Sequence, residues 1–303
     1  MSKIALYPTK CAICGTENNA AEVYRSRFDD GSFDPAIFSA RRSPDRVHYR
    51  IVRCKSCGLV RSDPTADANV ASDLYRQSSF NYAPEVENLN ATYARYLKKV
   101  WRYSQTQGSL LEIGCGAGFF LEEARRQGYQ RVAGVEPSER AVAAAAAGIR
   151  NSIVCSIMRP GLFAPGLFDT ICLFQTLDHM DAPGALLDEC FRLLKPGGCV
   201  MALNHNIRSL PVRVLAERSP VIDIEHTYLY SPETMTRLFI DHGFRVRERG
   251  TVFNRYTMRY LVHLSPLPAP VKRIFIWITG NTALGGVRVR LPIGNMYIIA
   301  QKT

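Results

Sequence analysis

The stretch Ser109-Leu110-Leu111-Glu112-Ile113-Gly114-Cys115-Gly116-Ala117-Gly118-Phe119-Phe120 decides the fold. Residues 110–113 read as a short apolar strand, three glycines follow at alternate positions, and a helix then runs to Gln127. A strand, a glycine turn and a helix in that order make a nucleotide-type ligand site. Glycines let the backbone approach the ligand closely and turn tightly into the helix. Glu136 falls at the end of the next strand, residues 131–135, and 22 residues after Gly114. A carboxylate there can accept hydrogen bonds from both hydroxyls of a ribose. A nicotinamide or flavin dinucleotide site is the rival reading. Its fingerprint is Gly-x-Gly-x-x-Gly, with the third glycine packing the helix on the strand. Here the run is Gly-x-Gly-x-Gly, and Phe119 stands where that third glycine belongs.

Outward from this turn the chain alternates strand and helix. Ser138 caps an Ala-rich helix that ends near Gly148, and Ile153–Cys155 and residues 170–174 are the next strands. Asp181 is placed to cap a helix with Leu186, Leu187, Cys190, Leu193 and Leu194 on one face. Lys195-Pro196-Gly197-Gly198 stops it before a strand at residues 199–203. Ser231-Pro232 starts another helix, Gly243 ends it, and strands at 244–248 and 296–301 complete the series. Such alternation implies a parallel sheet covered on both faces. Residues 251–292 interrupt the order as a helical insertion rich in aromatic and basic residues. Ahead of the alternating region, Val86, Leu89, Tyr93, Leu97 and Val100 recur at three- and four-residue steps, one face of an amphipathic helix.

Three ordered motifs carry a resemblance. Leu111-Glu112-Ile113-Gly114-Cys115-Gly116-Ala117-Gly118, Val135-Glu136-Pro137-Ser138, and Arg192-Leu193-Leu194-Lys195-Pro196-Gly197-Gly198 resemble the first, second and pre-fifth-strand motifs of class I S-adenosylmethionine-dependent methyltransferases. The resemblance covers roughly residues 105–250 and the last strand. It implies an α/β, Rossmann-like fold, with a mainly parallel seven-stranded sheet whose last strand is antiparallel. It implies that Glu112 and the backbone of Gly114, Cys115, Gly116 and Gly118 hold the methionine part of S-adenosylmethionine. Glu136 and Pro137 would then flank the ribose, Ser156 would lie by the adenine, and Gln175 would line the cofactor cleft. Many relatives carry an Asp near the adenine; Cys155-Ser156-Ile157 has none.

Cys11-x-x-Cys14-Gly15 and Cys54-x-x-Cys57-Gly58 are two knuckles separated by 39 residues. Four thiolates on two such turns suit a tetrahedral structural zinc, with a redox pair as the alternative. The chain therefore divides into a zinc-ribbon module at 1–66, a helical linker and active-site cover at 67–108, and a methyltransferase domain at 109–303. Cys115, Cys155, Cys172, Cys190 and Cys199 read as small buried hydrophobes.

Ligands sit at the carboxyl ends of strands in open sheets, so acceptor chemistry belongs in the loops after the fourth and fifth strands. His179, in Leu177-Asp178-His179, and His226, in Glu225-His226, are candidate bases, followed by His205. A loop-stabilising role competes for each. Zinc knuckles before this core also resemble a bacterial group acting on nucleotide sugars, polysaccharides and natural products. In its sugar C-methylating members the loop reads Tyr-His-Glu-His, helped by an upstream tyrosine. Asp223 and Ile224 replace the first two residues, Glu225 and His226 match, and Tyr82 is a counterpart for the tyrosine. O- or C-methylation of a sugar, nucleotide sugar or glycan follows as the expectation.

A net charge of +11 draws anionic partners but does not choose among them, and the basic residues are scattered. An RNA base methyltransferase is the main alternative. Against nucleic acid, Phe174-Gln175-Thr176-Leu177 lacks both the Asn/Asp-Pro-Pro-aromatic platform and a Pro-Cys nucleophile. A non-catalytic cofactor-binding protein is the second alternative. The N-terminus lacks an apolar signal core, and nine cysteines without an export signal point to reduced thiols in the cytoplasm. Residues 256–277 mix aromatic and basic side chains and fit a substrate lid, a dimer contact or peripheral contact with the inner membrane face.

Overall fold

The computed structural model describes residues 5–28, 46–67, 70, 73, 85–104, 106–265 and 267–303. In the N-terminal module, β1 (Leu6–Tyr7), β2 (Ala20–Tyr24), β3 (Ile51–Cys54), β4 (Val60–Ser62) and β5 (Thr65–Ala66) form short antiparallel pairings. The main sheet takes β6 (Ser109–Ile113), β7 (Arg131–Glu136), β8 (Ile153–Cys155), β9 (Phe168–Phe174) and β10 (Leu194–His205). After these come β11 (Tyr228–Leu229), β12 (Phe244–Thr251), β13 (Asn254–Thr257), β14 (Arg288–Leu291) and β15 (Asn295–Lys302). The seven-stranded order is β12-β15-β10-β9-β6-β7-β8, and β15 alone runs antiparallel to its neighbours. This is the Rossmann-like methyltransferase topology expected from the motifs.

Period-two alternation splits the sheet's side chains between two apolar layers. Leu110, Cys172 and Met201 join Tyr93, Leu97, Phe120 and Leu121 beneath the helices Val86–Val100 and Phe119–Arg126. Leu111, Ile113, Ile171 and Leu173 join Leu187, Leu193, Leu238 and Phe239 beneath the helices Pro183–Leu193 and Pro232–Asp241. Strands buried on both faces leave glycine turns and strand ends as the sheet's places for polar chemistry.

Several local expectations need correction. Ser138 does cap, accepting from the amide of Ala141, but the Ala-rich segment breaks into Glu139–Ala143 and Ala147–Arg150. Helix Pro183–Leu193 begins after Ala182 with no side-chain cap, so Asp181 does not serve as one. Ala182 holds the N-cap position, so Asp181 stands one residue before the place from which a side chain accepts the second- and third-position amides. Lys195-Pro196-Gly197-Gly198 lies inside β10, as the irregularity in its pairing with β9. Cys155 is exposed, unlike the other four cysteines of the sheet and its helices. The insertion is not wholly helical: β13 and β14 pair antiparallel, and between them lie helices Met258–Leu264 and Ala269–Asn281.

The least expected pairing joins the N-terminal module to a strand from the methyltransferase domain. β11, from residues 228–229, pairs with β4, so the module's sheet reads β11-β4-β3-β2. Ser62 N donates to Thr227 O at 2.9 Å, and the Tyr228 hydroxyl donates to Lys10 O at 2.9 Å. Arg61 is fully buried beside this seam, its Nε donating to Thr9 Oγ1 at 3.0 Å.

Candidate active site

Gly114, Gly116 and Gly118 all adopt positive φ (77°, 52° and 72°), the left-handed region that side chains disfavour. Space forbids a side chain as well. A Cβ on Gly114 would lie 2.9 Å from Thr176 Oγ1, and one on Gly118 would lie 2.7 Å from Ile149 Cγ2. Thr176 Oγ1 itself donates to Ile113 O at 3.0 Å, fastening the end of β9 to the glycine turn. Cys115 is buried inside the turn, against the chain at Gly134, where a Cβ would lie 2.5 Å from its sulfur.

Glu136 lies fully buried at the end of β7. Its Oε2 accepts from Gly116 N and its Oε1 from Ser138 N, both at 2.9 Å. Burial raises its pKa, opposed by those two backbone hydrogen bonds. Glu112, one strand over, is buried with Oε2 unpartnered; burial, and then repulsion from Glu136, hold its pKa well above the ordinary range. Two buried carboxyl groups thus stand at adjacent strand ends, and the Oε2 of Glu112 lacks a partner. Gln175, at φ 53°, adds a buried Oε1 without a partner at the end of β9. Val154 and Ile157 are exposed apolar side chains at the end of β8, the strand that pairs with Glu136 through Cys155. Pro137 is half-buried there, and the Ser156 hydroxyl donates to Ile157 O at 2.9 Å.

Beyond Thr176 the chain makes a turn at Leu177–His179 and places Asp178 in the interior. Asn204 Nδ2 donates to Asp178 Oδ1 at 2.8 Å, and His205 Nδ1 lies 2.7 Å from Asp178 Oδ2. His179 Nε2 lies 3.8 Å from Asp178 Oδ1. The His226 ring is 4.9 Å from that of His179 and 4.7 Å from that of His205, centroid to centroid. Three imidazoles thus converge on one buried carboxylate. Asp178 is held ionised far below its usual range: the charges and hydrogen bond of the histidines outweigh burial. Burial lowers the pKa of both His179 and His226.

The structure brings together His226 and His179, which the sequence offers as alternative bases, and orients them through main-chain carbonyls. Glu225 meets His179 through its main-chain carbonyl, 3.0 Å from Nδ1, while His226 Nδ1 faces Val221 O at 2.9 Å. Asp178 and Asn204 were missed as members of the cluster. The register Leu203↔Phe174 between β10 and β9 is the signal that unites them, since residues just beyond those ends must meet. Tyr82 lies outside the described residues.

The four module cysteines also converge. Cys11 Sγ lies 3.3 Å from Cys57 Sγ, and Cys14 Sγ lies 3.5 Å from Cys54 Sγ. All four sulfurs fall within 4.8 Å of one another. Each knuckle is closed by a glycine amide, Gly15 N to Cys11 O and Gly58 N to Cys54 O, with both glycines at positive φ.

Comparison with known proteins gives a consistent family. The family model described as "Methyltransferase domain" matches residues 86–249, more than half of the chain. A "Ubiquinone biosynthesis O-methyltransferase" of Psychrobacter arcticus is 29% identical over 167 residues, covering 50% of this chain and 65% of the relative. The protein of the same name from Nitrobacter winogradskyi is 30% identical over 164 residues, covering 50% and 62%. The chain thus spans a little under two thirds of these curated relatives. Among solved structures, a SAM-dependent methyltransferase from Archaeoglobus fulgidus aligns with TM-score 0.48 and 19% identity, covering 73% of this chain and 99% of that one. One from Aquifex aeolicus aligns with TM-score 0.46 and 14% identity, covering 73% and 94%.

Proposed function

The chain belongs to the methyltransferase domain family, and on that premise we propose that it moves the methyl group of S-adenosylmethionine to a hydroxyl of a small-molecule acceptor. The observation that carries the reading is the pair Glu112 and Glu136 around the three-glycine turn. Glu112, buried with an unpartnered oxygen, complements the ammonium group of the donor's zwitterionic amino-acid end. Glu136 would exchange a backbone partner for the ribose hydroxyls, with the adenine beside Val154 and Ile157. When bound, the donor supplies an electrophilic methyl on a sulfonium that is already a good leaving group. The chain's own task is then positioning, water exclusion and removal of the acceptor's proton. The cluster of Asp178, His179, His205 and His226 is the group of residues suited to that proton.

O-methylation is supported by the names of the relatives. A sugar, nucleotide sugar or glycan acceptor is supported by the cysteine knuckles and by Glu225-His226, the features that prompted the sugar-methylating resemblance. Incubation with labelled donor and panels of sugar nucleotides and hydroxylated aromatics tests the reading. Label in a sugar product supports it in full, label only in an aromatic product replaces the acceptor class, and donor binding without label in either panel rejects it.

The cysteine cluster is read as a structural zinc site. Its donor set is all sulfur, four thiols within 4.8 Å of one another on two glycine-closed knuckles. A thiolate is the form that binds metal.

A second observation favours work at a membrane surface. On the helix Ala269–Asn281, Ile274 is 60% and Trp277 66% exposed, beside exposed Phe275 and Ile276, with Lys272 and Arg273 one turn earlier. Among the described residues, no helix is long and apolar enough to cross a membrane. The patch instead suits peripheral contact with an anionic lipid layer. Cosedimentation with anionic vesicles that survives Trp277→Ser and Ile274→Ser would count against it.

A further inference from the structure

The histidine cluster is more ordered than a general base requires. A base needs one imidazole with a free nitrogen and one group to orient it. Here two imidazoles, His179 and His226, each turn Nδ1 to a backbone carbonyl, Glu225 O at 3.0 Å and Val221 O at 2.9 Å. A carbonyl only accepts, so each Nδ1 carries the proton and each Nε2 presents a lone pair. His179 brings that nitrogen to 3.8 Å from Asp178 Oδ1. One nitrogen from each histidine and one Asp178 oxygen lie within 4.8 Å of one another. The carboxylate is in turn fixed from behind, Oδ1 by Asn204 Nδ2 and Oδ2 by His205 Nδ1. Outer partners that fix the tautomer of a histidine and the orientation of a carboxylate are the usual second layer of a metal site.

We propose that Asp178, His179 and His226 hold a divalent first-row transition ion beside the methyl-donor cleft. Two imidazole nitrogens and one carboxylate oxygen suit manganese, iron, cobalt or zinc, and leave coordination positions open. Around such an ion, ligand atoms about 2.0–2.2 Å from the metal lie about 3–3.5 Å from one another. The three groups, within 4.8 Å of one another, would have to draw together by up to about 1–2 Å around the ion. His205 is a positioning residue, holding Asp178 without touching the ion. The site is separate from the cysteine cluster and offers no sulfur.

The inference deepens the hydroxyl-acceptor reading and rests on it for its chemistry. An acceptor hydroxyl filling an open position would lose its proton at neutral pH, as water does on a bound cation. With the lone pairs of His179 and His226 given to the ion, the O–H bond would break with the proton passing to solvent in place of those two imidazoles. The oxygen's electron pair then forms the bond to the methyl carbon, while the carbon–sulfur pair returns to sulfur.

Manganese(II) binding to the full chain loaded with one equivalent of zinc, read by electron paramagnetic resonance, tests the proposal. Thiolates select zinc, so added manganese reports the nitrogen–oxygen site. The expected result is one bound manganese per chain, with nitrogen couplings from imidazole. His226→Ala and Asp178→Asn should abolish it, and His205→Ala should weaken it about 10- to 100-fold. Zinc content and S-adenosylhomocysteine affinity, measured on the same samples, show that the variants are folded. A wild-type chain that takes up no manganese, cobalt or second zinc overturns the site. So does bound manganese without nitrogen coupling. Either result with S-adenosylhomocysteine still bound leaves the methyl-donor reading standing; metal uptake without S-adenosylhomocysteine binding removes that reading and leaves the metal site.

Discussion

Ser62 Oγ, in the cysteine module, donates a 2.9 Å hydrogen bond to the main-chain carbonyl of His226. With the β11–β4 pairing just beyond it, this bond ties the loop of His226 to the module that carries the four thiols. The module therefore acts as the rear wall of the proposed acceptor site, and its folding sets where His226 stands.

Ser62→Ala tests that coupling. Leaving a buried carbonyl unpaired costs about 1–3 kcal/mol, and the loop around His226 is the segment free to absorb it. Turnover should fall about tenfold or more while KM for the methyl donor stays put, since Glu136 is held by other bonds. Equal losses in both parameters would show a global rather than a local effect.

Glu112 gives a prediction with a definite sign. Burial and Glu136 raise its pKa in the folded chain above its unfolded value, so the stability linked to it is present at low pH. That contribution is lost as pH rises through the folded pKa. Glu112→Gln removes the loss, so its ligand-free chain should melt above wild type, by a margin that widens from pH 6 to pH 9. The same substitution should weaken S-adenosylmethionine binding about tenfold or more. A melting difference that shrinks with pH contradicts the assignment.

Gly118→Ala should cost about 1–3 kcal/mol of stability. The residue combines φ 72° with a Cβ position 2.7 Å from Ile149 Cγ2 and 2.9 Å from Ile153 Cδ1. Denaturant melts give the cost directly, and a change near zero would mean the turn is looser than described.

The pH–rate profile should carry its acid limb low. His179 and His226 must be neutral to take a proton or to bind an ion, and burial lowers both from 6.5, helped at His226 by His205. Activity should persist below pH 6.5 and be lost only on further acidification. A limb centred above 6.5 would assign the essential proton elsewhere.

The sequence reading was sharpest where a rule is local. The glycine spacing and Glu136 follow from turn sterics and strand ends, and the Ser231-Pro232 start appears as a capping box with Thr234. Asp181 satisfied the same capping rule on paper and failed, because Ala182 holds the N-cap position. The Asp178–His205 contact depends on strand register across a parallel pair separated by a whole helix. The β11–β4 pairing depends on residues more than 160 positions apart (Leu229 against Val60). No periodicity encodes such pairings. His226 was singled out for its neighbour Glu225, but its ring is set by Val221 and its backbone by Ser62.

Calorimetric titration of S-adenosylhomocysteine into wild-type protein and Glu136→Ala, side by side, tests the central claim most directly. The account predicts one site per wild-type chain and affinity at least about tenfold weaker in the variant, as hydrogen bonds to a charged group are lost. No binding to wild type, or equal affinity in both, would contradict it.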